Sequence, residues 1–222
     1  IREVCNLTEA VVRAHDTAES LANKIEIATI LGTWQSTLIN FNYLPAAWKK
    51  NLVDERLLGV SLTGIFDNPL TYQNDSHLIT LLMTLKQTAV STNKTWAKKL
   101  GINESAAITC VKPSGTVSQL VDAASGIHPR HSRFYVRTVR MDKKDPLAKL
   151  MIDVGFPYED DVMASDSTYV FSFPQKAPTG AVVRSQLTPM AHLALWQVYQ
   201  DAYCEHKPSV TVSVPEDAWL EV

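Results

Sequence analysis

Apolar residues recur at spacings of three and four from Asp16 to Asn42, through Leu21, Ile25, Ala28, Leu31, Trp34, Leu38 and Phe41, which predicts one long helix with Asp16 as its cap. Pro45 opens a short helix through Lys49 and Val53, and an extended stretch from Leu57 to Leu62 follows, closed by Gly64 and the turn residues Asp67, Asn68 and Pro69. Leu78, Leu81, Leu82, Leu85, Ala89, Trp96 and Leu100 predict a second long helix from Asp75 to Leu100, stopped by Gly101. The run from Ala106 to Val111 is too short for a helix and rich in β-branched residues, so it reads as a buried strand feeding the loop at Pro113 and Gly115. Further along, the pattern predicts a strand from Phe134 to Val139, a helix from Asp145 to Val154 with Gly155 as its stop, an extended stretch from Thr168 to Phe173, a helix from Thr188 through Tyr203, a strand from Ser209 to Val214, and the start of a helix at Pro215 running to Val222.

Helix and strand alternate in this order, which predicts an α/β fold of mostly parallel strands joined by crossover helices. A length of 222 residues fits one large domain or two small ones. The formal charge of -2 excludes the diffuse attraction with which basic proteins hold nucleic acid, and no apolar run is long enough for a membrane helix. Charges at Arg2, Glu3, Glu9 and Arg13 break up any signal-peptide core. Cys5, Cys110 and Cys204 are too few and too scattered for a disulfide framework and fit a reducing, cytoplasmic setting. Cys204 and His206 form a local metal half-site that no second pair completes, so no metal site is predicted. Both ends read as cut through ongoing segments, the expectation for a fragment of a larger chain.

The most informative local stretch is ITCVKPSGTVSQL, Ile108 to Leu120, where an apolar strand enters a Pro-Ser-Gly-Thr turn and leaves towards a helix. Backbone amides at a helix start, a glycine that lets a ligand approach, and Ser or Thr hydroxyls together hold phosphate oxygens, and Lys112 adds a point charge. The same residues also serve as plain turn and capping chemistry, and local chemistry leaves both readings open. Cys5 alone reads as a small buried hydrophobe. His128, Arg130, His131 and Arg133, in SGIHPRHSR, read as a solvated loop with ordinary surface charge, and neither histidine is assigned to a site.

The longer stretch ITCVKPSGTVSQLVDAASGIHPRHSRFYVRTVR resembles the catalytic chain of adenosylcobalamin-dependent, class II ribonucleotide reductases. So do REVCNLTE, ERLLGVSLTGIFDNP, YVFSFPQKAPTGA and CEHKPSVTVSV, in the same order along the chain. The resemblance implies that residues 1–222 are the C-terminal part of a ten-stranded α/β barrel, whose halves enclose a loop bearing a radical-forming cysteine that lies before Ile1. It implies that Ser114, Gly115, Thr116, Val117 and Ser118 bind the substrate's phosphates. Iron-dependent relatives carry glutamate where Gly115 stands, so the glycine sides with the cobalamin-dependent group and leaves room there. Cys5 matches one of two cysteines that form a disulfide as the ribose is reduced, its mate lying before this chain, while Cys110 and Cys204 match no redox position and are expected to pack.

The implied cofactor is adenosylcobalamin. The implied partners are a ribonucleoside triphosphate or diphosphate, thioredoxin or a similar dithiol reductant, and the N-terminal remainder of the reductase, with no nucleic acid and no membrane. The ending SVTVSVPEDAW favours the triphosphate-reducing type. By itself the 222-residue chain is expected to be inactive. The alternatives are a non-catalytic barrel half that acts only as assembly partner of a separate N-terminal piece, and an unrelated phosphate-binding α/β enzyme.

Overall fold

A computed structural model describes residues 4–220 and divides the chain into two compact units, one of Ile1–Arg130 with Thr179–Val222 and one of His131–Pro178. In the first unit, β1 (Asn6–Val11) runs parallel to β2 (Leu58–Thr63), with Asn6 beside Leu58 and Val11 beside Thr63. The connection is α1 (Ala18–Gln35) followed by α2 (Ala46–Glu55). All six residues of β2 are buried, because α1 covers one face of the pair and a third extended segment lines its far edge.

That third segment is the predicted strand at Ala106 to Val111. It pairs with β2 through Leu58 N to Ala107 O at 3.0 Å, Val60 N to Ile108 O at 2.8 Å and Cys110 N to Val60 O at 3.2 Å, yet forms only one regular parallel bridge, Val60 with Thr109. Glu205 explains the interruption: its carboxylate accepts from the amides of Ile108 and Thr109 at 2.8 and 3.0 Å. The order across this ribbon is therefore β1, β2, then residues 106–111.

The helices follow their local signals closely where those signals are strong. In α4 (Ser76–Leu100), Asp75 accepts from Leu78 N at 3.0 Å and Gly101 sits at φ 66°, with Leu78, Leu82, Leu85 and Ala89 buried. Thr17, not Asp16, caps α1 in a reciprocal pair with Ser20, and the helix ends at Gln35 rather than Asn42. There the hydroxyls of Ser36 and Thr37 bond back to the carbonyls of Thr33 and Trp34, and Leu38 beyond them is exposed. α7 (Pro189–Ala202), capped by Thr188, closes the core with Leu195 and Tyr199. Fully burying side chains such as Leu21, Ile25, Leu62 and Leu82 contributes about 1.5–3 kcal/mol each.

At the end of β2, Gly64 (φ 83°) turns the chain into a short 3₁₀ turn, Ile65–Asp67, and α3 (Pro69–Tyr72). A Cβ on Gly64 would lie 2.5 Å from the carbonyl oxygen of Val12, so the turn requires glycine both for its angle and for space.

The second unit departs from the predicted mostly parallel arrangement. β3 (Phe134–Asp142), β4 (Tyr158–Asp160) and β5 (Thr168–Lys176) form an antiparallel sheet in the order β3, β5, β4. The helix between them, α6 (Pro146–Asp153), is only eight residues long, and the chain turns straight from β4 into β5 through residues 161–167. Helix-strand alternation does not dictate parallel pairing when the last connection is a short turn. Among the described residues there are five strands in two small sheets, and no ten-stranded barrel is formed by them.

The predicted strand Ser209 to Val214 joins no sheet among the described residues; it is held by Ser209 N to Val111 O at 2.9 Å and Thr211 N to the His128 ring at 2.9 Å. The helix predicted from Pro215 is a single 3₁₀ turn, Glu216–Ala218, and its expected continuation to Val222 lies outside the described residues.

Candidate functional site

Along β1 the side chains alternate. Asn6, Thr8 and Ala10 face α1, and Cys5, Leu7, Glu9 and Val11 face the other way. On that second face β2 contributes Gly59, Ser61 and Thr63, and the neighbouring segment contributes Cys110, Lys112 and Ser114. The Ser61 hydroxyl accepts from Lys112 N at 3.0 Å and fixes the chain where residues 106–111 pass into the loop. One face of a parallel ribbon thus carries Cys5, Cys110, Lys112, Glu9 and Ser114.

Gly59 sets the geometry around Cys5. A Cβ there would stand 2.3 Å from Leu7 Cδ2, 3.0 Å from Cys5 Sγ and 3.3 Å from Cys110 Sγ, so both sulfurs lean over a position that has no side chain. All three cysteines are free thiols. Burial raises the pKa of Cys5, with the Lys112 ammonium offsetting part of the shift, and burial pushes Cys110 up to about 12. Cys5 is half-buried, whereas Cys110 and Cys204 are buried, as expected for packing cysteines. Cys5 lies one residue before the Asn6–Leu58 pair and Cys110 one after the Val60–Thr109 pair, on opposite sides of β2, so their backbones are more than two strand spacings, about 9.6 Å, apart. A disulfide needs Cα atoms about 4.4–6.8 Å apart, so Cys110 is not placed to pair with Cys5.

Ser114 stands at the start of α5 (Gly115–Leu120), a six-residue helix. First-turn amides of a helix have no partner within it, and here they belong to Gly115, Thr116 and Val117. Gly115 and Thr116 are exposed, Val117 is 51% exposed, and a Cβ on Gly115 would meet nothing within 4 Å. Ser118 is different: it is fully buried, its amide bonds to Ser114 O at 3.0 Å, and its hydroxyl bonds to the carbonyls of Ser114 and Gly115. Ser118 holds the turn together from behind, Ser114 is buried beside it, and Gly115, Thr116 and Val117 form the open side.

Two polar groups on this face were not singled out from sequence. Glu9 is half-buried, and burial raises its pKa while the neighbouring Ser114 hydroxyl offsets part of the rise. Glu9 Oε2 and Ser114 Oγ are both buried and lie beside one another. Only the pairing of β1 with β2 puts Glu9 on the face of Cys5, two residue pairs further along.

Arg130, read from sequence as part of a solvated loop, is 4% exposed. It forms a two-point ion pair with Asp67 at 2.9 Å for each bond, and its Nη1 reaches Asp122 at 2.6 Å. Asp67 also accepts from Ala124 N at 2.8 Å, so this cluster ties the turn after β2 to the chain that follows α5. His128 and His192 are likewise structural, their rings bonding to the carbonyls of Ser125 and Ile127 at 2.8 and 2.7 Å. No group of three or more His, Cys, Asp or Glu among the described residues would hold a metal ion, and no described helix is long and apolar enough to cross a membrane.

No protein-family model matches the sequence. A curated protein of Euglena gracilis, an adenosylcobalamin-dependent ribonucleoside-triphosphate reductase, is 26% identical over 99% of this chain. The reductase of the same description from Lactobacillus leichmannii is 34% identical over 103 residues, 46% of this chain. The sequence relatives of this chain are adenosylcobalamin-dependent ribonucleotide reductases. The crystal structure of a B12-dependent, class II ribonucleotide reductase superposes with a TM-score of 0.78 over 97% of this chain at 22% identity, which gives the fold. The chain spans 30% of the length of the Euglena reductase and 34% of the crystallised one.

Proposed function

We propose that this chain is the substrate-holding part of a ribonucleoside-triphosphate reductase, in which Cys5 supplies one of two reducing thiols and the Ser114 to Ser118 turn receives the phosphates. The observation that carries this reading is the shared face: Cys5, just before β1, and Glu9, within it, lie four residues apart, about 13 Å along the extended chain, with Ser114 beside Glu9. A nucleotide laid along the ribbon sets its ribose near Cys5 and its phosphates at the loop. Triphosphate is preferred over diphosphate because the relatives named above are triphosphate reductases.

The chemistry balances with two thiols. Replacing the ribose 2′-hydroxyl by hydrogen consumes two electrons and two protons and releases water, while two cysteines become a disulfide. Cys5 retains its proton at neutral pH, because burial raises its pKa, and so carries both a hydrogen and an electron. By the resemblance its mate lies in the N-terminal remainder of the reductase, and Cys110, too far at the backbone, is not that mate. A dithiol such as thioredoxin then exchanges with the disulfide and restores both thiols.

The loop contributes charge stabilisation with little net charge. Amides of Gly115, Thr116 and Val117 point out of a helix start, the Ser114 and Thr116 hydroxyls add donors, and Lys112 brings a cation. Gly115 keeps the approach open. Adenosylcobalamin, when bound, supplies the radical that initiates the reaction. The thiol, carboxyl, ammonium and hydroxyl groups on this face suit a sugar phosphate and do not suit a broad corrin ring, so no residue here is assigned to the cofactor.

In the same reading the parallel ribbon of β1, β2 and residues 106–111 is a section of the ten-stranded barrel, completed by the remainder of the chain, and the protein works in the cytoplasm. The test is conversion of labelled ribonucleoside triphosphate by the complete protein with adenosylcobalamin and a dithiol. Deoxyribonucleotide is expected, and its loss on substituting Ser114 and Thr116 together by alanine locates the phosphates; unaltered KM in that variant contradicts the assignment.

A further inference from the structure

β2 is buried along its whole length, and a buried parallel strand ordinarily reads as a continuous apolar run. Only Leu58, Val60 and Leu62, on the face towards α1, follow that rule; the face of Cys5 and Glu9 carries Gly59, Ser61 and Thr63. Ser61 is 3% exposed and Thr63 is fully buried. Buried hydroxyls are kept where they are bonded, and both of these bond to the chain that carries the Pro-Ser-Gly-Thr turn. Ser61 Oγ accepts from Lys112 N at 3.0 Å, where the chain enters the turn. Thr63 Oγ1 accepts from Gly126 N at 2.8 Å and donates to Ala124 O at 3.0 Å, where the chain returns.

Between these ends α5 has little of its own to hold it. Of its six residues only Ser118 is buried, and Leu120 is 85% exposed, so apolar packing does not set its direction. Its ends do. They meet at the base, where a Cβ built on Gly126 would stand 3.0 Å from the carbonyl oxygen of Lys112. Gly64 N donates to Ala124 O at 2.6 Å and Asp67 Oδ2 accepts from Ala124 N at 2.8 Å, so the returning end is fixed to the residues just after β2 as well. Ser61 and Thr63 stand two residues apart, about 6.6 Å along a strand, and that rigid interval determines where each end of the turn begins.

Resting on the reading of Ser114 to Ser118 as the phosphate site, we propose that Ser61 and Thr63 are positioning residues of that site: bonded at the two ends of the turn, they hold it on the face of Cys5, in place to receive phosphates while the ribose lies at the thiol. Neither side chain touches the substrate. Each acts through backbone groups of the loop, so losing its hydroxyl leaves the groups that meet phosphate chemically intact and moves them.

The test is calorimetric binding of a ribonucleoside triphosphate to the complete protein, with the nucleoside lacking phosphates as control, together with steady-state reduction. Thr63→Val keeps the branched shape and removes both side-chain hydrogen bonds. It is expected to raise the triphosphate Kd and KM at least about tenfold, the equivalent of one hydrogen bond to a charged group. Nucleoside binding should stay within about twofold of wild type and kcat at saturating nucleotide within about threefold, since the groups acting at the ribose are untouched. Thr63→Ser, which returns the hydroxyl, should restore the wild-type Kd, and Ser61→Ala should weaken triphosphate binding as Thr63→Val does. Wild-type triphosphate Kd in Thr63→Val, or an equal loss for nucleoside and triphosphate, overturns the proposal; a merely structural role lowers the apparent kcat and leaves KM in place, which overturns it too. Should Thr63→Val fail to fold, Ser61→Ala carries the same comparison, and an unchanged triphosphate Kd there overturns the proposal. Ser114→Ala with Thr116→Ala separates the two levels: weakened triphosphate binding in that double variant, with wild-type binding in Thr63→Val and Ser61→Ala, removes the positioning role and leaves the phosphate turn, while unaffected binding in the double variant overturns both.

Discussion

Replacing Arg130 by methionine removes one partner from a buried ionic cluster and leaves the other behind. Arg130 and Asp67 each have side chains 3% exposed, and after the substitution the Asp67 carboxylate keeps only the Ala124 amide, at 2.8 Å. Breaking a buried pair in this way costs about 3–5 kcal/mol, because a charge remains without water or counter-ion. The exposed side chain of Asp122 loses little, since solvent reaches it. Against a total stability of about 5–15 kcal/mol, the loss is large. With a urea m-value of about 2 kcal/mol per M, it moves the unfolding midpoint down by about 2 M. Urea unfolding of the complete protein followed by circular dichroism reads the shift directly. Arg130→Met with Asp67→Asn should recover most of it, because no uncompensated charge remains. A single-variant loss below about 1 kcal/mol, or a double variant whose losses simply add, refutes the argument that this pair is a closed electrostatic unit.

Two more outcomes follow from the geometry. Gly59→Ala places a methyl 2.3 Å from Leu7 and 3.0 Å from Cys5 Sγ, so it should displace the thiol and lower kcat at least tenfold while nucleotide KM changes less than about threefold; an unchanged kcat contradicts the role of Gly59 in seating Cys5. Burial lowers the pKa of His192, which also bonds to Ile127 O, so its folded-state pKa lies below the unfolded one and its contribution is present above the unfolded pKa and lost as pH falls through the folded value. Stability should therefore drop as pH falls below the unfolded value of about 6.5 in wild type, and less steeply in His192→Gln; identical slopes contradict it.

What could be read from the sequence was what local chemistry decides. Asp75, the stripe from Leu78 to Ala89 and Gly101 each act within a turn or two of themselves, and α4 begins and ends where they say. The Pro-Ser-Gly-Thr turn likewise falls at a helix start beside a buried extended segment. β1 escaped because its six residues, Asn6 to Val11, include Thr8 and Glu9 and carry no flanking turn signal; its identity as a strand comes from pairing with β2, more than fifty residues away. Arg130 looked solvated because its partner Asp67 is sixty-three residues distant and only the turn after Gly64 brings the two together. The antiparallel sheet was missed because the pairing of β3 with β5 is set by where the chain turns back, which element order does not encode. Of the face that forms the candidate site, the resemblance supplied Cys5 and residues 114–118, and only the folded ribbon added Glu9 to them.

The claim on which the rest depends is that Cys5 is a reducing thiol acting on a ribose whose phosphates sit at Ser114. Multiple-turnover reduction of a ribonucleoside triphosphate by the complete protein carrying Cys5→Ser, with adenosylcobalamin and thioredoxin supplied, tests it most directly. The account predicts unimpaired nucleotide binding with deoxyribonucleotide formation abolished, because serine cannot complete the disulfide; sustained turnover at the wild-type rate contradicts it.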